Sequence, residues 1–288
     1  GYIAKLQKRA SKGLADFKKD LRLLLLTRRI LYWDDTVIPI MTKRACLRFY
    51  GDDRISYYTA HMKKDLAGLL EDGILNFLTE DTYVMHDHNK VNYNEKFRFR
   101  NLECCQHAER DIQACADETK HEEMAMLKEL LAEAIKERND LFAAGIMSFS
   151  EERIARFDAR LEELLSGAEA KIKEHFNPYS SRDELNVIKR LRDFHDNFFA
   201  WMRDFSLPHT NNLSERELRG AKTKKKVSGQ FESEESSKFY ADILTYTRTC
   251  RRNGFNEIDA LSRLMKGNPV TVEEIFPEFN KLVSATPG

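Results

Sequence analysis

The stretch Arg29-Ile-Leu-Tyr-Trp-Asp-Asp-Thr-Val-Ile-Pro-Ile-Met41 decides how the chain reads. It is rich in β-branched and aromatic residues and too short for a pair of helices, so it predicts strands at 30–34 and 37–41. Upstream, Ile3, Leu6, Leu14, Phe17, Leu21 and Leu24 recur at helical spacing with Lys and Arg between them, which predicts one helix over 1–28. That helix is already under way at residue 1, as expected of a piece of a longer parent chain. Downstream, further strands are expected at 46–50 and 55–60 around the turn-like Gly51-Asp52-Asp53. A helix is expected over 62–78, with Leu66, Leu69, Leu70, Ile74 and Phe77 on one side. A short β-prone run at 82–85 leads into His86-Asp87-His88, and 100–104 reads as one more strand.

After residue 106 the pattern becomes helical. One helix is expected over 117–143. Another starts behind a Ser148/Ser150 cap with Glu151 and Glu152 in its first turn, and a third covers 181–203. Pro178 and Pro208 mark the breaks, and 211–254 is again helical. Strands followed by a long helical block and then more helices predict an α+β core interrupted by an all-helical insertion. There is no internal repeat.

The chain has 288 residues, 42% of them apolar, which is enough for a packed core and argues against wholesale disorder. Lys+Arg and Asp+Glu cancel at 47 each, but unevenly along the chain. Residues 109–174 hold 17 acidic side chains against 10 basic ones. Residues 211–231 hold Arg216, Arg219, Lys222, Lys224, Lys225 and Lys226 against Glu215 and Glu217. Five cysteines without a CxxC pair suggest free thiols in a reducing compartment. The longest apolar run, 23–26, cannot span a bilayer, and Lys5, Lys8, Arg9 and Lys12 break any signal-peptide pattern. A soluble, cytoplasmic protein is expected.

Three acidic residues sit where rigid elements could hold them. Asp34 ends the first strand, Asp87 follows the 82–85 strand, and Glu215 lies in the first turn of a helix beginning near Asn211/Asn212. Converging carboxylates are what two Mg²⁺ ions need for phosphoryl transfer on DNA, since hard cations take oxygen ligands. Each residue also has an ordinary reading: a strand-end Asp serves turns, and a first-turn Glu complements the helix dipole.

Four segments carry a family resemblance. Pro208-His-Thr-Asn-Asn-Leu-Ser-Glu-Arg-Glu-Leu-Arg219 resembles the P-x-x-N-N-x-x-E-R-x-x-R tract around the catalytic glutamate of IS66 transposases. Trp33-Asp34-Asp35-Thr36 resembles the A-D-E-T that carries their first aspartate, with Trp33 in place of a small residue and Asp35 in place of Glu. His86-Asp87-His88, with Tyr93 downstream, resembles the segment carrying the second. Cys104-Cys105-Gln106-His107-Ala108-Glu109-Arg110 resembles a C-x-x-H-A-x-R found shortly after it. The resemblance spans about 20–276 and implies a ribonuclease-H-like core, a mixed sheet flanked by helices. The expected division is an N-terminal helix (1–29), the first part of the core (30–112), a helical insertion (113–206), and the rest of the core with the glutamate helix and basic tract (207–288).

By the same resemblance, Asp34, Asp87 and Glu215 are the catalytic and metal-binding residues, Mg²⁺ is the cofactor, and Mn²⁺ substitutes. Asp34 would bridge the ions, with Asp87 and Glu215 each holding one. Water would attack at the element's end, and the freed 3′-hydroxyl would then attack target DNA. DNA is the implied partner, handled by a homodimer or larger assembly, with room for accessory proteins. Members of that family carry an N-terminal DNA-binding region, which by this resemblance is not expected within these residues. Adjacent Asp34 and Asp35 face opposite sides of a strand, so only one should reach the metals.

Other residues keep two readings. Asn211 and Asn212 suit helix capping or phosphate contact. Arg216 and Arg219 suit phosphate forks or a solvated helix face, and Lys222 and Lys224–Lys226 suit sequence-independent DNA contact. Cys104 and His107 are too few for zinc and read better as a buried structural pair. His86 and His88 are loop residues or proton carriers. Trp201, Phe198 and Phe199 stack on a base or pack a core. The rival functions are a ribonuclease-H-like nuclease without strand transfer, a domesticated non-catalytic DNA-binding or assembly protein, and a helical scaffold.

Overall fold

A computed structural model describes residues 1–285, with side chains for all but 224–228 and 283–285. The chain divides into two units, 1–100 with 212–288, and 101–211.

Unit 1 opens with α1 (Tyr2–Gly13) and α2 (Ala15–Leu25), followed by β1 (Ile30–Ile40), β2 (Lys43–Gly51) and β3 (Ser56–His61). Then come α3 (Leu66–Asp72), β4 (Tyr83–His86) and β5 (Arg100–Glu103), where the chain passes into unit 2. Among the described residues the strands form one sheet in the order β3-β2-β1-β4-β5. It is mixed: β1/β2 and β2/β3 are antiparallel, and β1/β4 is parallel.

Strand alternation gives the sheet two apolar faces. Leu31, Trp33, Tyr50, Tyr57 and Val84 join Phe17, Leu21 and Leu24 in one core. Ile38, Leu47, Phe49 and Tyr58 join Leu218 and Ala221 in the other. Leu218 and Ala221 belong to a later helix, Asn212–Ser228. Each large apolar side chain buried this way contributes about 1.5–3 kcal/mol. Trp33, unexpected beside Asp34, fills the first core and stacks on Tyr50 with ring centroids 6.0 Å apart.

Unit 2 holds α4 (Cys105–Thr119), α5 (Glu122–Ala143), α6 (Glu151–Glu174), α7 (Ser180–Asp193) and the short α8 (His195–Phe199). The Ser150 side chain caps α6 by accepting the Arg153 N–H, as the sequence suggests. Phe198, Phe199 and Trp201 are each 1% exposed, so they pack the core of this unit and offer no face to a base. Phe157 meets Phe199 edge-on at 5.0 Å.

Back in unit 1, α9 (Asn212–Ser228), α10 (Glu234–Arg252), α11 (Glu257–Met265), α12 (Val272–Ile275) and α13 (Phe279–Ala285) complete the chain. α10 covers the outer edge of β3 in an unusual way. The Thr249 hydroxyl meets the Ser56 N–H and C=O, both at 3.1 Å, and the Thr245 hydroxyl accepts the Tyr58 N–H at 2.9 Å. Two threonines one helical turn apart thus satisfy backbone groups that would otherwise template another strand.

Several expected elements differ in extent. The single helix over 1–28 is two, broken at the fully buried Leu14 (φ −102°) just after Gly13, a poor helix former. The strands at 30–34 and 37–41 are one continuous strand. Pro39 fits because its carbonyl points to the side where β4 has ended, accepting from the Phe231 N–H at 2.9 Å, so no ladder bond to β2 is lost. The helix over 62–78 shrinks to α3, started by the Asp65 cap and stopped by Gly73 at φ +65°. The helix over 117–143 begins only after Lys120, which takes a left-handed φ of +59°. The helix over 181–203 turns at Phe194, which brings Phe198 and Phe199 inward.

Candidate active site

The parallel pairing of β1 with β4 sets Leu31 opposite Val84 and Tyr32 opposite Met85. Continued for two residues, that register sets Asp34 beside Asp87, which follows the last residue of β4. Neighbouring strands lie about 4.8 Å apart, so equivalent positions on them are close. The electrostatics reflect this. Burial first, and next the charge of Asp87, push the Asp34 carboxyl up to about 7. The Asp35 N–H, which donates to Asp34 Oδ1 at 2.7 Å, and the charge of Lys222 act in the opposite direction.

Asp35 faces the other way. It pairs in register with Arg48, while Asp34 pairs with Phe49 of the core that receives α9. Lys64 takes up the Asp35 carboxylate at 2.6 Å. Asp87 is braced through its carbonyl oxygen, which lies 3.1 Å from His86 Nδ1 and accepts from Asn92 Nδ2 at 3.3 Å. His86 is 1% exposed and meets Tyr93 edge-on at 6.0 Å, so it packs and braces. The His88 and Tyr93 ring centroids are 6.2 Å apart.

α9 presents Leu218 and Ala221 to the Asp34 face of the sheet. At about 3.6 residues per turn, Glu215 and Lys222 share one flank of this buried stripe, and Glu217 falls on the other. Glu217 reaches Tyr58 of β3, which assigns the opposite flank, that of Glu215 and Lys222, to the β1 side of the sheet. Glu215 is partly buried in the first turn of the helix. Glu217 has other partners: it accepts the Tyr58 hydroxyl at 2.7 Å and pairs with Arg252 at 2.8 Å. Arg216, Arg219 and Lys222 are exposed, and the side chains of Lys224, Lys225 and Lys226 lie outside the described residues.

Within unit 2, Cys104 is 1% exposed and its sulfur accepts the Asn211 N–H at 3.2 Å. Its sulfur and a ligand atom of His107 are within 4.8 Å of one another, and His107 Nε2 is 3.4 Å from Arg110. Asn211 is fully buried immediately before α9, and Asn212, its first residue, is exposed. Sequence reasoning missed Asn92, Glu217, Tyr58 and Arg252. The one usable signal was the second glutamate two residues after Glu215, on a helix whose buried stripe is set by Ser214, Leu218 and Ala221.

The profile of the Transposase IS66 family matches residues 1–238, and the chain belongs to that family. No curated protein and no solved structure gives a significant match. No helix among the described residues is long and apolar enough to cross a membrane.

Proposed function

We propose that this chain is a DNA transposase that cuts at transposon ends and joins them to target DNA, with Asp34, Asp87 and Glu215 as its catalytic carboxylates. The supporting observation is the β1/β4 register, which, continued for two residues, brings Asp87 beside Asp34, whose strand partner Phe49 lies in the core that α9 packs against. Family membership supports DNA as substrate. The mixed sheet with helices on both faces supports a ribonuclease-H-like core, with α4–α8 as the helical insertion between β5 and α9 in the chain.

The donor set fits divalent cations. Two carboxylates held side by side, one of them pushed towards neutrality by burial and by the other, gain most from a shared positive charge. All three groups are hard oxygen donors, which suits Mg²⁺, with Mn²⁺ as a substitute. When bound, the metals would supply activation of the attacking oxygen and neutralisation of charge at the phosphate. Asp34, within β1, and Asp87, just past the end of β4, hold one side of the site, and Glu215 holds the other from α9. Lys222 brings a positive charge to the same flank, where a phosphate group would lie. Arg216 and Arg219, with Lys224–Lys226, extend the contact along the DNA backbone. Cutting and joining two ends calls for at least two copies of the chain, and accessory proteins fit the same scheme. The buried free thiols support a reducing, cytoplasmic setting.

Asp34→Asn tests this reading. It keeps the shape and removes the charge, so cleavage of donor DNA should fall at least about 10³-fold, with DNA binding and melting temperature preserved. Undiminished cleavage would refute the assignment. Supplying pre-cut ends separates transposition from simple hydrolysis: joined product supports the transposase, and hydrolysis alone supports a nuclease.

A further inference from the structure

We infer that Glu217 is a positioning residue, the anchor that sets the rotation of α9 about its own axis and so aims Glu215 at the two aspartates. This inference rests on the catalytic reading above. α9 sits on the sheet through a narrow stripe of small and medium side chains, Ser214 (0% exposed), Leu218 (0%) and Ala221 (4%). Such a stripe holds the helix to the sheet by apolar burial, which has no preferred direction. Rotation must therefore be fixed by directional contacts at the flanks.

Glu217 provides them on the β3 side. Its Oε2 accepts the Tyr58 hydroxyl at 2.7 Å and lies 3.4 Å from the Ser56 hydroxyl. Its Oε1 pairs with Arg252 on α10 at 2.8 Å. The two side chains of that ion pair are only 13% and 12% exposed, so the contact is shielded from water. Two residues along a helix correspond to about 200° of rotation, which puts Glu215 on the opposite flank from this anchor. Any roll that relaxes Glu217 swings Glu215 with respect to Asp34 and Asp87. Misplacement on the order of 1 Å at a reacting centre costs about 10²-fold in rate.

The test uses the whole chain, with Mn²⁺ binding read by electron paramagnetic resonance and Mn²⁺-dependent nicking of a supercoiled plasmid as the activity. Glu217→Ala should lower kcat about 10²-fold while leaving KM for the plasmid within about twofold. Glu217→Gln keeps an acceptor for Tyr58 but not the charge for Arg252, and should fall between alanine and the native residue. Tyr58→Phe removes a single oxygen and should lower kcat roughly tenfold, which keeps the test alive if the alanine variant does not fold. Tyr246→Phe is the control. Its hydroxyl donates to the Ala260 carbonyl at 2.9 Å and accepts the Val270 N–H at 3.0 Å, so losing it should lower the melting temperature without touching kcat.

A kcat for Glu217→Ala and Tyr58→Phe no lower than that of Tyr246→Phe, measured well below every melting temperature, overturns the inference. Asp34→Asn distinguishes the two levels. If it leaves both Mn²⁺ binding and nicking intact, the catalytic reading itself has failed. If it abolishes them while the Glu217 variants stay fully active, only the positioning role has failed.

Discussion

Identical side chains two positions apart meet different surroundings on α9. Glu217 is taken up by Tyr58 and Arg252, while Glu215 lies on the flank that carries Lys222. Residue type alone could not separate them, because helical periodicity says which residues oppose each other and not what each will meet. The same holds for Asp34 and Asp35, where alternation alone requires opposite faces but the partners, Phe49 on one side and Arg48 on the other, come from a remote strand. His209 in unit 2 gives a residue-scale prediction. Burial, and then the charge of Arg138, hold its imidazole down at about 4, and its ring lies 5.8 Å from that of Trp201. In the unfolded chain an ordinary histidine titrates near about 6.5. As pH falls the unfolded state takes up the proton first, so the stability that the neutral ring permits is complete above pH 6.5 or so and drains away towards pH 4. Urea midpoints of unit 2 should therefore decline across that window, and His209→Gln should flatten the decline. An unchanged slope in the variant would place the acid sensitivity elsewhere.

At the scale of elements, strand and helix character were readable from spacing, whereas lengths were not. β1 runs through Pro39 because β4 ends early on that side, and α3 is cut short by Asp65 and Gly73. Local propensity sees the proline and the glycine but not which hydrogen bonds the fold leaves free for them. The cover over β3 shows the same limit. Thr245 and Thr249 look like ordinary helix-surface residues in the sequence, yet they satisfy the Tyr58 and Ser56 N–H groups. Replacing both by valine preserves shape and strips those partners, leaving two buried donors unmet at about 1–3 kcal/mol each. The expected outcome is a urea midpoint lowered by the equivalent of several kcal/mol, with the helical circular dichroism signal retained. A change below about 0.5 kcal/mol would mean that water reaches this edge.

For the whole molecule, the balanced total of 47 positive and 47 negative side chains conceals an acidic helical block and a basic helix. On α9, Arg216 and Arg219 are exposed. If they meet DNA phosphates, the double variant Arg216→Ala/Arg219→Ala should weaken binding to a duplex of arbitrary sequence. It should also make the dependence of log K on log salt shallower, by about 0.9 for each phosphate no longer neutralised. An unaltered slope would show that this face lies away from the nucleic acid.

The amino-acid sequence by itself determined the order of strands and helices, the segregation of charge, and three acidic positions inside recognisable tracts, since periodicity, turn residues and short motifs are all local. The tertiary structure alone decided the register that sets Asp34 beside Asp87, the pairing of Glu217 with Tyr58 and Arg252, and the threonine cover on β3. Each of these joins segments far apart in the chain, and a hydrogen bond or ion pair across such a distance is selected by how whole elements pack, which no short window of residues encodes.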